Sequence, residues 1–243
     1  MSIDLSAAFF DLQLRFADAM VRVSDLSFDE VVLNFTNLYL QFIGRSFDPT
    51  HPVWQAYLAG LKQAPERATW TYDFYQRRRD SHAPSPYGCF HYSYLPEEHT
   101  IRYHFVNVDT SGAGPLSKER MPVRQQELKM MFAEIKQQYG DAPTVRGNSW
   151  LYNIDAYRRL FPARYTRNMK VVKDEFQYMS LWGQFLRHDG RVHGERVDDF
   201  LSCLQKADTL EGLVNCFPYH VLSPKGPLPC FTHSMKFHSC SKQ

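Results

Sequence analysis

Two features of the sequence carry residue types that suit chemistry, and the first is a glycine-rich turn. The turn reads Ser111-Gly112-Ala113-Gly114-Pro115 and follows an alternating apolar segment that ends near Val108. A glycine turn between a strand and a helix leaves several main-chain N–H groups unpaired and pointing one way, an arrangement that binds phosphate or pyrophosphate. The sequence therefore predicts an anion-binding turn, with a flexible connection as the alternative.

The second feature is a pair of histidines, His91 and His104. They occupy corresponding positions in two successive segments of alternating hydrophobicity, 89–94 and 101–106. Side chains of one parity lie on one face of a strand, so we expect both imidazoles on the same face of neighbouring strands. Imidazole titrates near neutral pH and can accept a proton from a nucleophile. Polar residues on an exposed sheet face are the alternative interpretation.

Hydrophobic periodicity supplies the helices that would support these residues. Apolar side chains recur at steps of three and four before residue 66, and Ser27 with Glu30 forms a capping box at the start of the second helix. A similar pattern returns near the C-terminus. The predicted helices cover 4–24, 28–42, 51–61, 194–207 and 209–216.

A period of two predicts three strands in series, over 68–75, 89–94 and 101–106, which short loops join into an antiparallel meander. After the glycine turn, Ser117 is the predicted cap of a long amphipathic helix. A strand over 144–152 follows, and a strand reached through a long helix is usually a parallel neighbour. We therefore expect an α+β fold with a mixed, mainly antiparallel sheet.

These elements predict one body in three stretches. A helical N-terminal layer covers 1–66, an α/β core covers 67–190, and C-terminal helices with an irregular extended tail cover 191–243. A short helix is expected over 155–161, and the segment 171–182 is interpreted as a strand in its first half. Four of the fourteen prolines lie in the tail, which favours an extended or irregular conformation there.

This order of elements resembles the GNAT superfamily of acyl-CoA N-acyltransferases over about residues 68–165. The shared layout is a strand, a glycine turn, a long helix, a strand and a short helix that carries a tyrosine. The resemblance implies acyl-CoA as cosubstrate and a small-molecule or peptide amine as acceptor. It places the cofactor pyrophosphate and pantetheine arm at Phe105, Val106, Val108, Ser111, Gly112, Ala113 and Gly114.

The resemblance also implies roles for two residues after the later strand begins. Asn153 matches an asparagine found near the end of that strand, and Tyr157 matches a tyrosine that protonates the leaving thiolate. An amine nucleophile must lose a proton during acyl transfer, so a base is needed within hydrogen-bond reach. His104 and His91 are the candidates for that base.

Composition limits the partners and the compartment. A net charge of +2 provides no general attraction for nucleic acid. No apolar run approaches about 18 residues, and the first residues lack the pattern of a signal peptide. We therefore expect a cytoplasmic protein that binds neither nucleic acid nor a membrane, and we expect its five cysteines to be free thiols. The sequence does not indicate an oligomeric state.

Two other functions remain open. Tyr92, Tyr94, Tyr103 and Trp150 would line a sheet cleft of a non-catalytic protein that binds a small ligand or partner. Thiol and imidazole ligands in the tail would suit zinc. Their spacing matches no common zinc finger, so no metal is favoured. The candidate zinc ligands are Cys230, His233, His238 and Cys240.

Overall fold

The computed structural model describes residues 4–44, 47–78, 85–140, 143–172 and 180–234. The chain divides into two compact units. A helical unit comprises residues 2–82 and 173–220, and an α/β unit comprises 83–172 and 221–243. These boundaries differ from the three expected stretches, because the chain leaves the α/β unit after residue 172 and returns to it at residue 221.

The described ranges contain eleven α-helices and two short 3₁₀ helices, at Trp150–Asn153 and Ser180–Phe185. None of these helices is both long and apolar enough to cross a membrane. In chain order the α-helices are α1 (Ala7–Val23), α2 (Phe28–Phe35), α3 (Leu38–Phe42), α4 (Pro52–Gln63), α5 (Arg67–Arg78), α6 (Met121–Tyr139), α7 (Asp155–Arg158), α8 (Ala163–Thr166), α9 (Gly194–Lys206), α10 (Leu210–Asn215) and α11 (Pro229–Ser234).

The helical unit buries an aromatic core, and its local signals act as the sequence predicts. The capping box of α2 is confirmed: the Ser27 hydroxyl accepts from the Glu30 N–H, and the Glu30 carboxylate accepts from the Ser27 N–H at 2.8 Å. Phe16 of α1 packs edge-on against Trp182, with ring centroids 5.3 Å apart. Aromatic burial of this kind accounts for part of the unusual aromatic content of the chain.

The predicted strand over 68–75 is wrong, because this segment lies within α5. Thr71, Phe74 and Tyr75 are buried at a spacing of three and four residues, which is the spacing of one helix face. Trp70 lies on a neighbouring position and donates its indole N–H to the Tyr57 carbonyl at 3.1 Å. The alternation of large and polar residues predicted a strand, whereas contacts with α4 stabilise a helix.

The strands of the α/β unit form one four-stranded sheet in the order β1-β2-β3-β6 and a separate two-stranded pair, β4-β5. β1 pairs antiparallel with β2, and β3 pairs antiparallel with β6. β2 and β3 pair in parallel, and α6 is the connection between them. The expected side-by-side pairing of β2 and β3 is confirmed. The strands are β1 (Phe90–Leu95), β2 (Thr100–Phe105), β3 (Thr144–Gly147), β4 (Lys170–Val171), β5 (Leu222–Ser223) and β6 (Lys225–Pro227).

Several boundaries differ from the sequence interpretation. Only two of the three expected meander strands exist, β1 and β2. The strand predicted over 144–152 ends at Gly147 and gives way to a 3₁₀ helix. The C-terminal segment is not wholly irregular, because β6 belongs to the main sheet. The strand expected over the first half of 171–182 falls largely on residues 173–179, which lie outside the described residues.

One face of the sheet carries the core of the α/β unit. We call it the core face, and its central residues are Phe90, Ile101, Tyr103 and Val145. Leu128, Met131, Phe132 and Ile135 of α6 belong to the same cluster and are at most 1% exposed. These α6 positions recur at three and four residues, so one helix stripe covers the sheet.

The packing of this core leaves no space for a side chain at Gly147. A methyl group at this position would overlap the hydroxyl of Tyr152 and would lie 2.9 Å from the hydroxyl of Tyr103. The two tyrosine hydroxyls also hydrogen-bond to each other. The backbone at Gly147 is therefore approached closely by two buried side chains of the same unit.

We expect Gly147→Ala to lower the free energy of unfolding by about 1–3 kcal/mol, because the added methyl overpacks a filled core. Gly194→Ala is the matched control, since Gly194 has open space around its Cα and lies in a helix, where alanine is favoured by up to about 1 kcal/mol. Urea unfolding of both variants measures the difference. Equal stability of the two variants would show that Gly147 is not sterically constrained.

Candidate functional site

The predicted anion-binding turn follows β2 at the edge of the α/β unit. Gly112 has a φ of +79°, a left-handed conformation that glycine adopts without strain. Nothing lies within 4 Å of a Cβ built at Gly112 or Gly114, so the turn borders open space. The Ser111 N–H is not available to a ligand, because it donates to the Asp109 carboxylate at 3.0 Å. The free donors of the turn therefore begin at Gly112.

A buried cluster of four charged side chains holds the turn against α6. The Asp109 carboxylate lies 2.6 Å from Arg120 and 3.2 Å from Arg124, and Arg124 also lies 2.9 Å from Glu127. The side chains of Asp109 and Arg124 are 1% and 2% exposed. Glu127 accepts from the Cys89 N–H at 3.3 Å, which ties β1 to the same cluster.

The environment of this cluster shifts its acidic groups in different directions. Burial alone would raise the pKa of Asp109, but hydrogen bonds from Ser111 and the Arg120 guanidinium lower the pKa to about 2. Burial raises the pKa of Glu127 even though Arg124 acts in the opposite direction. Burial also raises the pKa of the Cys89 thiol. Cys89 is therefore protonated at neutral pH and is a poor nucleophile.

The long helix does not begin where the sequence predicts. α6 starts at Met121, and the Ser117 carbonyl accepts from the N–H groups of Arg120 and Met121 at 3.0 and 3.1 Å. The predicted Ser117 side-chain cap is wrong, because residues 115–120 form successive turns before the helix. The N-terminus of α6 is thus several residues away from Gly112, and its dipole does not supply the anion site directly.

β2 continues beyond the end of its pairing with β3. The parallel ladder ends where Tyr103 lies opposite Gly147. The pairing with β1 persists, and the Val106 N–H donates to the Cys89 carbonyl at 2.8 Å. Alternate residues of an antiparallel ladder direct their main-chain groups to opposite sides, so Phe105 directs its N–H and C=O away from β1. We call the space between Phe105 and the chain after Gly147 the β2–β3 gap.

The chain after Gly147 follows its other neighbour instead. The Gly147 N–H donates to the Pro224 carbonyl, and Ser149 exchanges two hydrogen bonds with Leu222, each at 3.1 Å. The 3₁₀ helix Trp150–Asn153 follows, and its Tyr152 hydroxyl hydrogen-bonds to the Tyr103 hydroxyl of β2. β2 and β3 therefore diverge for two reasons. Main-chain hydrogen bonds hold the chain after Gly147, and the Asp109 cluster holds the chain after β2.

Two predicted site residues lie on the core-face side of this gap. Tyr157 of α7 is 1% exposed, and its ring centroid lies 5.7 Å from that of Phe105. Burial, followed by the influence of Tyr165, raises the pKa of Tyr157 far above its usual range. Asn153 lies at the end of the 3₁₀ helix and donates its side-chain N–H to the Trp150 carbonyl at 2.7 Å. Asn153 thus stabilises the turn that precedes α7.

The two histidines lie on the opposite side of the sheet. His91 pairs directly with His104, and the rings stack with centroids 4.8 Å apart. The Nε2 atom of His104 lies 3.3 Å from the Ser93 hydroxyl. The structure thus brings the histidines together but separates them from Tyr157, which belongs to the core face. His104 precedes Phe105 in the chain, so the β2–β3 gap is where the two sets approach each other.

The remaining predicted cofactor residues follow the end of β2. Val106 is half-exposed, which is unusual for an apolar side chain in this unit. Phe105 and Val108 are partly buried against the core cluster. Two surface hollows of about 300 and 420 Å³ lie elsewhere, in the helical unit, and no predicted site residue lines either of them.

The residues of the expected aromatic cleft pack largely between the sheet and α6. Tyr94 packs on Tyr139 near the C-terminal end of α6 with centroids 4.4 Å apart, and the Tyr92 hydroxyl lies 3.0 Å from Gln138 of the same helix. Tyr103 is 3% exposed, whereas Tyr92, Tyr94 and Trp150 are partly exposed. An aromatic cleft for a ligand stays a prediction.

The cysteines are not all free thiols. Cys203 and Cys216 form a disulfide that links α9 to α10, so the expectation of free thiols is wrong for this pair, and Cys216 is not a zinc ligand. Among the described residues, no group of three or more metal-ligating side chains is present. The predicted ligands His238 and Cys240, and the side chain of His233, lie outside the described residues.

Comparisons of the chain with protein-family models, with curated proteins and with solved structures find no match. The resemblance to GNAT enzymes therefore stays a prediction that rests on the residues and on the geometry of this chain.

Sequence reasoning missed the charged cluster under the turn. Arg120, Arg124 and Glu127 are spaced four and three residues apart, which places them on one face of α6. That spacing could have predicted that these three charged side chains lie together. Their partner Asp109 could not be predicted, because it lies in a loop and its burial depends on how the turn folds back over the helix.

We expect Asp109→Asn to lower the free energy of unfolding by about 3–5 kcal/mol at neutral pH, because it removes the carboxylate that Arg120 shares with the buried Arg124 and leaves Glu127 as the one carboxylate of the cluster. The folded-state pKa is about 2 and the ordinary value is about 3.9, so this stabilisation is present above about pH 4 and is lost as pH falls towards 2. The gap between the two unfolding curves should therefore close over that range.

Asp18→Asn is the control for this experiment. Asp18 pairs with Arg67 on the surface and is 47% exposed, so its loss should cost at most about 1 kcal/mol. Denaturant titrations from pH 7 to pH 2 measure all three proteins. An Asp109 effect as small as that of Asp18 would show that the cluster does not hold the turn.

Proposed function

We propose that this protein is an acyl-CoA-dependent N-acyltransferase with a GNAT-like core. The observation that carries the proposal is the β2–β3 gap. The parallel ladder stops at Tyr103, while β2 runs on along β1 and directs the main-chain groups of Phe105 into the gap. An exposed strand edge pairs with extended ligands that carry amides, and the pantetheine arm of coenzyme A is such a ligand.

The glycine turn supports the proposal because it follows directly on the same strand. An arm that runs along β2 past Phe105 would bring its pyrophosphate to the N–H groups of Gly112, Ala113 and Gly114, beside open space. The Asp109 carboxylate does not repel this anion strongly. Two arginines and two carboxylates make up the cluster, so its formal net charge is zero.

The residues on the two faces of the sheet suit the two proton transfers of the reaction. The attacking amine forms a bond to the thioester carbon and loses a proton to His104 on one side of the gap. The C–S bond then breaks, and the thiolate takes a proton from the Tyr157 hydroxyl on the other side. The Tyr157 phenol is protonated at neutral pH, as an acid in this role must be, and burial raises its pKa further, so it is a weak donor that suits only a strongly basic leaving group.

The other predicted residues position these groups. Asn153 stabilises the turn before α7 and so fixes Tyr157, while His91 stacks on His104 and restricts its ring. The main contribution to the rate would be alignment of amine and thioester in the gap. We also propose a cytoplasmic location. Disulfides are rare in the cytosol, so this location is tested by whether Cys203 and Cys216 are reduced or disulfide-bonded in cells.

Thioester binding tests the gap and the turn. We expect acetyl-CoA or a long-chain acyl-CoA to bind the wild-type protein in calorimetric titration, and Gly114→Val to weaken that binding at least about tenfold by covering the turn's N–H groups. Gly194→Val is the matched control, because both glycines have open space around them and neither has a positive φ.

The control separates the outcomes. Gly194→Val should bind the thioester as the wild type does, since Gly194 belongs to the helical unit and not to the α/β unit that carries β2 and the turn. If neither thioester binds the folded wild-type protein, the acyltransferase proposal is wrong. If both variants lose binding equally, the turn is not the pyrophosphate site.

Catalysis tests Tyr157 separately from binding. Once an acceptor is found, we expect Tyr157→Phe to lower kcat by about 10²-fold, because general acid catalysis contributes about that factor, and to leave the acyl-CoA dissociation constant unchanged. Acyl donors with better-activated thioesters, such as thiophenyl esters, should restore part of the rate because their leaving group needs no proton. An unchanged kcat would assign Tyr157 to packing alone.

A further inference from the structure

The face of the sheet opposite the core carries a row of cations. We call it the polar face. Arg102 of β2 lies opposite Arg146 of β3, and Arg146 lies opposite Lys225 of β6. Directly paired residues point to the same side of a sheet, so three positive side chains stand next to one another across three strands. The described helices of this unit instead contribute to the cluster on the core face.

The row is poorly compensated by the protein itself. In the part of the chain that the structure describes, Arg146 has one carboxylate neighbour, Glu98 at 3.5 Å, which is half-exposed, and the buried Nε atom of Arg146 has no hydrogen-bond partner there. Within the described residues, neither Arg102 nor Lys225 has a carboxylate within ion-pair distance. Like charges directly opposite each other destabilise a sheet. A bound anion would relieve this repulsion.

The position of the row relates it to the proposed reaction. His104 is two residues beyond Arg102 on the same strand, so the two side chains leave the polar face about 7 Å apart. Ser93, which lies opposite Arg102, contacts His104 through its hydroxyl at 3.3 Å. The cation row therefore begins beside the proposed base, on the face from which an amine would enter the β2–β3 gap.

We infer that the acceptor is a small amine that also carries an anionic group, a carboxylate or a phosphate, held by Arg102, Arg146 and Lys225. This inference rests on the proposed acyl transfer. The spacing of about 7 Å between the row and His104 fits a molecule that holds both groups a few bonds apart. Charge-assisted hydrogen bonds to the guanidinium groups would bind the anion in a defined orientation.

The same charges favour the reactive form of the amine. Nearby cations disfavour an ammonium ion and lower its pKa, so a larger fraction of the bound acceptor is the neutral nucleophile. An acceptor without an anionic group would meet only the repulsion. The polar face thus selects amines by their second functional group.

Product analogues test the inference without requiring turnover. Ligand-observed NMR titrations compare N-acetyl-L-alanine with N-ethylacetamide, which lacks the carboxylate. A second comparison uses N-acetyl-O-phosphoethanolamine and N-acetylethanolamine, which lacks the phosphate. We expect one anionic analogue to bind at least about tenfold more tightly than its neutral partner, and the pair that shows this preference identifies the anion.

Substitutions locate the binding. Arg102→Gln and, separately, Arg146→Gln should abolish this tenfold preference and leave binding of the neutral analogue unchanged. Lys129→Gln is the control, because Lys129 is an exposed cation on α6, which covers the core face. Acetyl-CoA binding, measured in parallel, should be the same in all these proteins.

The outcomes separate the two proposals. Equal binding of anionic and neutral analogues by the wild type, or a preference that survives both arginine substitutions, would overturn the inference. Absence of acetyl-CoA binding together with a preserved anion preference would overturn the transferase proposal and leave the polar face as an anion site. Binding of both ligands, with only the anion preference lost in the variants, supports both.

Discussion

The buried guanidinium of Arg124 is the constraint on which the α/β unit depends. A charge that is 2% exposed is tolerated only with partners, and Asp109 and Glu127 supply them. These partners come from the loop after β2 and from α6, while Glu127 also binds the main chain of β1. One side chain therefore fixes the path of the loop, the start of the helix and the edge of the sheet together.

The consequence of this constraint is the divergence of β2 from β3. The cluster keeps the chain after Phe105 beside β1 and over α6, whereas the chain after Gly147 is held by Pro224 and Leu222. Two parallel strands pulled to opposite sides leave main-chain groups without a ladder partner. Such groups are costly in a core but useful at a surface, where a ligand with amides can bind them. The β2–β3 gap is thus a product of the charge cluster.

The sequence predicted the parts of the fold that depend on local signals. The capping box at Ser27 and the placement of His91 and His104 on one face of neighbouring strands follow from short-range spacing, and both are confirmed. The strand predicted at 68–75 failed, because alternation in a short aromatic segment does not distinguish a strand from a helix whose packing is decided by distant neighbours. The charge partner of Arg124 was equally inaccessible, since Asp109 lies in a loop and only tertiary folding buries it.

The candidate site combines the environments of the two faces of the sheet, which differ in burial and charge. The core face holds the buried phenol of Tyr157, and the polar face holds the stacked histidines and the row of cations, which are partly or fully exposed. An intact ladder would keep these environments apart, because a sheet excludes ligands from its interior. In the proposed reaction the thioester would lie at the β2–β3 gap, where its leaving group would face the buried phenol of Tyr157 and its carbonyl would face the amine on the cationic face. One strand would then separate the low-dielectric and solvated halves of the reaction.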